Sequence, residues 1–290
     1  MKRLFLPAFA LVALFCGSCL SYNEDCAPLV DNPDETDGYV GGDIDITKVH
    51  VRSGDNAFGE VVADAWRHSA DAVSGTTPAD IGFENSGDIR NEGVCANNDT
   101  VPRGPLRRST LRQVLPFDDT ISLVTIDAAT LKAVLEHSVA GFNDSFVGQA
   151  AQGTPPGQFL QMSGVTAIVD CHQPAASSSN PGSRVTRIVL QDAFNADGSD
   201  QPGATVIWDG TTLATQTVRV AVNSYVLTGG DGYTMMENLD ATASKRFDLQ
   251  GLNFQIAAEY LQKSYTKDSP IAATAKPRWI LTNCAGSVSP

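Results

Sequence analysis

Catalytic spacings are what this 290-residue sequence lacks. It has no H-E-x-x-H, no G-x-S-x-G and no G-x-x-x-x-G-K-[ST], which removes zinc-protease, nucleophile-elbow and phosphate-loop chemistry. Histidine is scarce: His50, His68, His137 and His172 are scattered along the chain. Asp170-Cys-His172 matches the D-x-H that opens a two-metal phosphatase site. Such a site needs further ligand motifs, and the chain has no N-H-[DE] and no H-x-H, so D-x-H reads as a strand end and a loop. Basic residues are also short, 20 Lys and Arg against 33 Asp and Glu, for a net charge of −13. That field opposes nucleic acid and anionic membrane surfaces as partners. A small anion needs only a local cluster of arginines. Beyond Cys19 no two cysteines have C-x-x-C spacing, which argues against a metal site. No apolar run is long enough to span a bilayer.

The chain opens on an export signal at residues 1–21. Lys2 and Arg3 supply the positive start, and Leu4 to Phe15 is a short apolar run interrupted by Pro7. Small residues before Cys19 resemble a bacterial lipoprotein cleavage site, with Cys16 where leucine is usual. Two outcomes stay open: lipidation at Cys19 or plain secretion. The expected location is the periplasm, the outer membrane as a lipoprotein, or the extracellular space, with membrane contact only through a lipid anchor. Cys26, Cys95, Cys171 and Cys284 then make an even set in an exported protein. Three pairings are possible. Cys95–Cys171 with Cys26–Cys284 is the expected one, because it ties both ends.

Residues 22–47 are acidic and turn-rich and read as a linker; residues 48–290 form the folded domain. With 42% apolar residues the chain can bury a core. A helix follows Asp55-Asn56, either of which can cap it, and runs to about Val73 on the spacing of Val61, Val62, Ala65 and Trp66. Asp80 to Glu84 is a strand, Thr110 to Leu115 a short helix and Ile121 to Ile126 a strand. Asp127 caps the clearest helix, with Leu131, Val134, Leu135 and Ser138 on one face. Strands surround Ser163-Gly164, another spans Arg184 to Gln191, and a last helix runs from about Asp248 to Tyr265. Val220 to Leu227 is a strand entering the turn Gly229-Gly-Asp-Gly232. The fold class is α+β: a single domain with a mixed β-sheet and flanking helices.

Five pieces stand in order: R-S-G-D-N-A-F-G-E-V-V-A-D-A from Arg52, N-S-G-D-I-R from Asn85, L-P-F-D-D-T around Phe117, L-Q-M-S-G-V from Leu160, and N-S-Y-V-L-T-G-G-D-G-Y from Asn223. Together they resemble the C-terminal domain of the 5'-nucleotidases over about residues 48–240. In that family this domain recognises the nucleotide, and an N-terminal metallophosphatase domain hydrolyses it. The resemblance implies a nucleotide or nucleoside ligand and a place in nucleotide catabolism. It implies Arg52 and Arg90 at the anionic end of the ligand and Asn85 in ligand contact. It further implies that Phe117 and Tyr225 stack on the two faces of a base and that Asp231 accepts bonds from ribose hydroxyls. Stacking of this kind stabilises by about 1–3 kcal/mol per base and tolerates different bases.

This sequence departs from the family pattern at several of these positions. Tyr225 stands where Phe is commoner and adds a hydroxyl. Ser86 and Asp88 replace glycines, and Asp88 adds repulsion near a phosphate. Asp119 stands where relatives often carry Asn or Gly. The 47 residues before the match leave no room for a metallophosphatase domain. No catalytic residue and no cofactor is therefore expected in this chain. Divalent metals would belong to a separate metallophosphatase subunit, and a stand-alone binding lipoprotein is the alternative.

Overall fold

The computed structural model describes residues 30–69, 77–90, 99–142, 157–239 and 244–284. The export signal, Cys19, Cys26 and Cys95 lie outside the described residues. The chain begins with β1 (Thr36–Val40), β2 (Ile44–Asp45), α1 (Lys48–Arg52) and α2 (Ala57–Ser69). Next come β3 (Ile81–Asn85), β4 (Thr100–Val101), β5 (Gly104–Arg107), α3 (Arg108–Val114), β6 (Ile121–Asp127) and α4 (Ala128–Ser138). Then follow β7 (Leu160–Ser163), β8 (Thr166–Asp170), β9 (Val185–Leu190), β10 (Thr205–Trp208) and β11 (Thr217–Asn223). The remainder is α5 (Ser224–Leu227), a 3₁₀ turn at Gly230–Gly232, α6 (Thr234–Glu237), β12 (Phe247–Asp248), α7 (Asn253–Ser264) and β13 (Trp279–Thr282).

The central sheet has the order β12-β6-β11-β3-β7. It is mixed: β11 runs parallel to β3, and the other pairs are antiparallel. Both faces are buried, and strand alternation divides the side chains between them. Val124, Ile126, Val220 and Val222 join a core completed by Leu131, Val134 and Leu135 of α4. Leu123 and Ala221 turn to a second core with Phe58, Val62 and Trp66 of α2 and Ala257 and Leu261 of α7. Glycine at 82 is required by this packing. A Cβ there would sit 2.1 Å from the carbonyl oxygen of Ala63, so α2 lies directly on β3. A second sheet, β10-β9-β8-β13, packs its Val169, Ile188 and Trp279 into the α4 core.

Local signals place most of these elements. Asp127 Oδ1 accepts from Thr130 N at 2.7 Å, capping α4 as expected. Asn56, not Asp55, caps α2, with its Oδ1 accepting from Phe58 N at 3.1 Å and Gly59 N at 3.2 Å. Asp55 is occupied instead by the backbone N–H groups of Arg278 and Trp279, both at 3.0 Å.

Three expectations need correction. First, the stretch read as an acidic linker is folded from residue 36 onward. Asp37 is fully buried because Arg108 and Gln262 donate to it, and Ile44 and Ile46 lie in the core. Second, the disulfide joins Cys171 to Cys284, with Cα atoms 4.8 Å apart. β13 pairs in parallel with β8, placing Thr282 opposite Asp170 and hence Cys284 beside Cys171. Neither Cys95–Cys171 nor Cys26–Cys284 therefore forms. Third, the strand expected to reach Leu227 stops at Asn223, and α7 begins at Asn253 rather than near Asp248, which belongs to β12.

Candidate ligand-binding site

The site is built where β3 and β11 end side by side. Their parallel register sets Val222 opposite Phe83, so Asn223 emerges next to Glu84 and Asn85. Asn223 ends the strand by capping the next helical turn, its Oδ1 accepting from Val226 N at 2.9 Å. Tyr225 consequently stands on the first turn of α5 with 42% of its surface exposed. The turn that follows opens on Gly229 in the left-handed region, φ 88°. Asp231 is also left-handed, at φ 51° and ψ 17°.

The Asn223 amide is the hub. Its Nδ2 lies 2.7 Å from Asn85 Oδ1, 3.0 Å from Asp88 Oδ2 and 3.1 Å from Glu84 Oε2. Asn85 in turn donates from Nδ2 to Asp231 Oδ2 at 3.0 Å. The Tyr225 hydroxyl donates to Asp231 Oδ1 at 3.2 Å and accepts from Asp231 N at the same distance. Beneath the hub, Trp66 Nε1 donates to Glu84 Oε2 at 2.8 Å. From the far side, His137 Nε2 lies 2.8 Å from the backbone oxygen of Asp231.

Two of these acids are raised. Burial pushes Glu84 well above the usual carboxylate range, and the neighbouring Asp88 charge adds to it. Asp88 is pushed up to about 7 by burial first, then by the charges of Asp119 and Asp231, with Arg90 acting in the opposite sense. Partial burial also raises the Tyr225 phenol.

Phe117 lies in the loop between α3 and β6 and is 39% exposed, so it is not the core residue that a phenylalanine usually becomes. The Arg90 guanidinium carbon sits 5.1 Å from the centroid of its ring. Arg90 forms no ion pair with Asp88, whose carboxylate is taken by Asn223. Its Nε is buried without a hydrogen-bond partner among the described residues, leaving donor capacity on the fork. The loop is stitched to the Tyr225 turn: Ser224 N donates to Thr120 O at 2.8 Å, and Ser224 Oγ to Asp119 Oδ1 at 2.6 Å. Arg52 ends α1, whose Val51 oxygen accepts from Ser86 Oγ at 2.6 Å and Gln161 Nε2 at 2.8 Å.

Of the six predicted ligand residues, the fold thus brings Asn85, Tyr225 and Asp231 into direct contact, and Arg90 against Phe117. Ser224 joins the two groups. Arg52 is tied to the same turn through Val51 and Ser86. Asn223, Glu84, Trp66 and His137 went unrecognised as site residues. Asn223 carried a signal, a polar residue at the end of a strand with N-cap chemistry. His137 carried none, being 94 residues from Asp231.

Among the described residues no group of three His, Cys, Asp or Glu is placed to hold an ion. Asp170 of the D-x-H accepts from His172 N at 3.1 Å and Asn283 Nδ2 at 2.8 Å, and Cys171 is in the disulfide. Among the described residues no helix is long and apolar enough to cross a membrane.

A family model described as "5'-nucleotidase, C-terminal domain" matches residues 36–238. A 5'-nucleotidase of Diplobatis ommata is 29% identical over 160 residues, which is 55% of this chain and 23% of that protein. The trifunctional nucleotide phosphoesterase of Bacillus subtilis is 25% identical over 248 residues, 83% of this chain and 14% of its own. The chain therefore spans under a quarter of the length of these relatives. Among solved structures, a 5'-nucleotidase precursor from Thermus thermophilus superposes with a TM-score of 0.62 at 23% identity. It covers 86% of this chain and 40% of its own, and shows the shared fold.

Proposed function

The chain belongs to the 5'-nucleotidase C-terminal domain family, and on that premise we propose that it binds a nucleotide or nucleoside between Phe117 and Tyr225. One observation carries the reading. Among the described residues the large hydrophobic side chains left exposed are Val49, Phe117, Val206 and Tyr225. The Phe117 loop is tied to the Tyr225 turn through Ser224 and Asp119, and the Tyr225 hydroxyl donates to Asp231. A core-forming sequence leaves such rings in water at a cost that a stacked base offsets. The donors of Arg90 suit a phosphate or carboxylate.

Calorimetric titration with AMP, adenosine and UDP-glucose tests the proposal. Phe117→Ala and Tyr225→Ala each weaken binding by about 1–3 kcal/mol if the rings stack on the base. An affinity unchanged by both substitutions would refute the stacking role.

We further propose that phosphate-ester hydrolysis, where it occurs, uses metal ligands from a metallophosphatase domain outside the described residues. The donor set above supports this. Phosphate release from AMP with divalent metal, measured with and without an added metallophosphatase domain, checks it. Release by the chain alone would overturn it, and tight binding without turnover in either case would favour a stand-alone binding role. Export is proposed on the sequence alone, with lipidation at Cys19 and plain secretion as its two outcomes, and the mass of the mature N-terminal peptide decides between them.

A further inference from the structure

Acids crowd the turn that follows β3. Glu84 is fully buried, and Asp88 is 4% exposed. Asp119 on the Phe117 loop and Asp231 on the glycine turn both act on Asp88 through their charges. Arg90, two residues on, acts on it in the attractive sense. Arg52 ends α1, whose Val51 is bonded to Ser86 of the same turn. The other titratable neighbours, Tyr225 and His137, bond to Asp231.

Hydrogens and oxygens in the hub do not match. Val226 N donates to Asn223 Oδ1 at 2.9 Å, which fixes the amide with its Nδ2 toward the acids. That nitrogen carries two hydrogens. Oxygens of Asn85, Asp88 and Glu84 lie 2.7, 3.0 and 3.1 Å from it. Trp66 brings a third hydrogen, to Glu84 Oε2, and Glu84 Oε1 is buried with no partner among the described residues. Three hydrogens therefore serve four oxygens. A carboxyl proton on Asp88 or Glu84 supplies the missing donor, and burial of both acids favours holding it.

Arg90 couples this proton to a ligand. Its charge works to remove the proton from Asp88, against the burial that retains it. Its Nε has no hydrogen-bond partner among the described residues, and its fork is the donor offered to an anion. An anion bound there offsets the Arg90 charge, so Asp88 holds its proton more firmly. Linkage makes the effect reciprocal: the anion binds more tightly when Asp88 is protonated. A neutral nucleoside brings no charge to Arg90 and lacks this coupling.

We propose that Asp88 is the residue that sets the charge preference of the site: an anionic ligand is bound together with a proton, which the Asp88 carboxylate takes from solvent. The site thus takes nucleotide anions while Asp88 is protonated and turns toward neutral nucleosides as Asp88 ionises. This rests on the nucleoside reading above. The sign follows from the acid. The free site releases the Asp88 proton at about 7, and a bound anion moves that release upward. Affinity for the anion is therefore highest below that pH and falls as pH rises through the window above it.

The test is calorimetry on the full chain and on Asp88→Asn at about pH 6 and about pH 8, each in two buffers of different ionisation enthalpy. The probes are adenosine 5'-sulfate, whose single charge is constant over that range, and adenosine, which is neutral throughout. The wild type is expected to bind the sulfate about fivefold more weakly at the higher pH, with a heat that depends on the buffer because a proton is taken up. Adenosine should move by less than about twofold, and Asp88→Asn should bind the sulfate with little change between the two pH values and no buffer dependence. A wild-type affinity for the sulfate that does not fall with pH overturns the proposal without any variant. So does an equal fall for adenosine, which would place the effect in the fold rather than in ligand charge. A fall that persists in Asp88→Asn assigns the proton to Glu84 or His137 and also overturns it, as does binding of adenosine but not of the sulfate at both pH values. A wild type that binds neither probe refutes instead the nucleoside reading on which the proposal rests.

Discussion

Replacing Asp88 by asparagine probes the buried acid network directly. Asp88 is 4% exposed, and its Oδ2 takes a bond from Asn223 Nδ2 at 3.0 Å. Asparagine has the same shape and keeps an acceptor oxygen for that bond. What it removes is the need to ionise. The folded protein holds the Asp88 proton up to about pH 7, whereas the carboxyl ordinarily releases it near 3.8. Asp88 is thus an acid raised on folding. Its contribution is fully present below about pH 3.8 and is lost as pH climbs to about 7. Each pH unit in that window costs the wild type about 1.4 kcal/mol relative to the unfolded chain, or about 4 kcal/mol across it as a ceiling. Glu84 shares the same amide, and the Asp119 charge raises both acids, so the two titrate together and the ceiling belongs to the pair. Asp88→Asn should therefore gain stability over the wild type steadily between about pH 4 and 7, and by a constant amount above that. Urea unfolding of both proteins at about five pH values measures this as a difference in midpoint. A stability difference independent of pH, or one that shrinks toward neutral pH, would refute the protonated network.

Two other predictions bear on the fold and the arginine. Cys284→Ser opens a cross-link between residues 113 apart, and it should lower stability by about 3–5 kcal/mol in chemical denaturation without altering ligand selectivity. Arg90→Ala should weaken adenosine as well as AMP, because the guanidinium lies over Phe117 and orients that ring, a contact of about 0.5–1 kcal/mol at an exposed site. If only AMP binding falls, Arg90 serves the anion alone.

How much of this was legible beforehand follows from the range of each interaction. Helix α4 was readable because its cap and its apolar stripe are local: Asp127 bonds Thr130 three residues on, and Leu131, Val134 and Leu135 repeat at helical spacing. The segment at 36–46 was misread because its acidic composition suggests solvent. Asp37 is buried only because Arg108 and Gln262, distant in sequence, supply donors. The disulfide was misassigned for a related reason. Without β13 and its parallel pairing to β8, no local feature favours Cys284 as the partner of Cys171. The end of strand β11 was overrun because Tyr225, Val226 and Leu227 favour strands, and the Asn223 cap outweighs them once the chain turns.

By itself, the sequence determined the α+β class, the family and the identity of the six candidate ligand residues. Ordered motifs and local periodicity survive without coordinates. Tertiary structure alone decided what those residues are to one another. Hydrogen bonds between Asn223 and Asn85, Tyr225 and Asp231, and His137 and Asp231 depend on strand register and on the packing of α4. The charge state of Glu84 and Asp88 was likewise hidden, since it is set by burial and by the acids around them rather than by residue type.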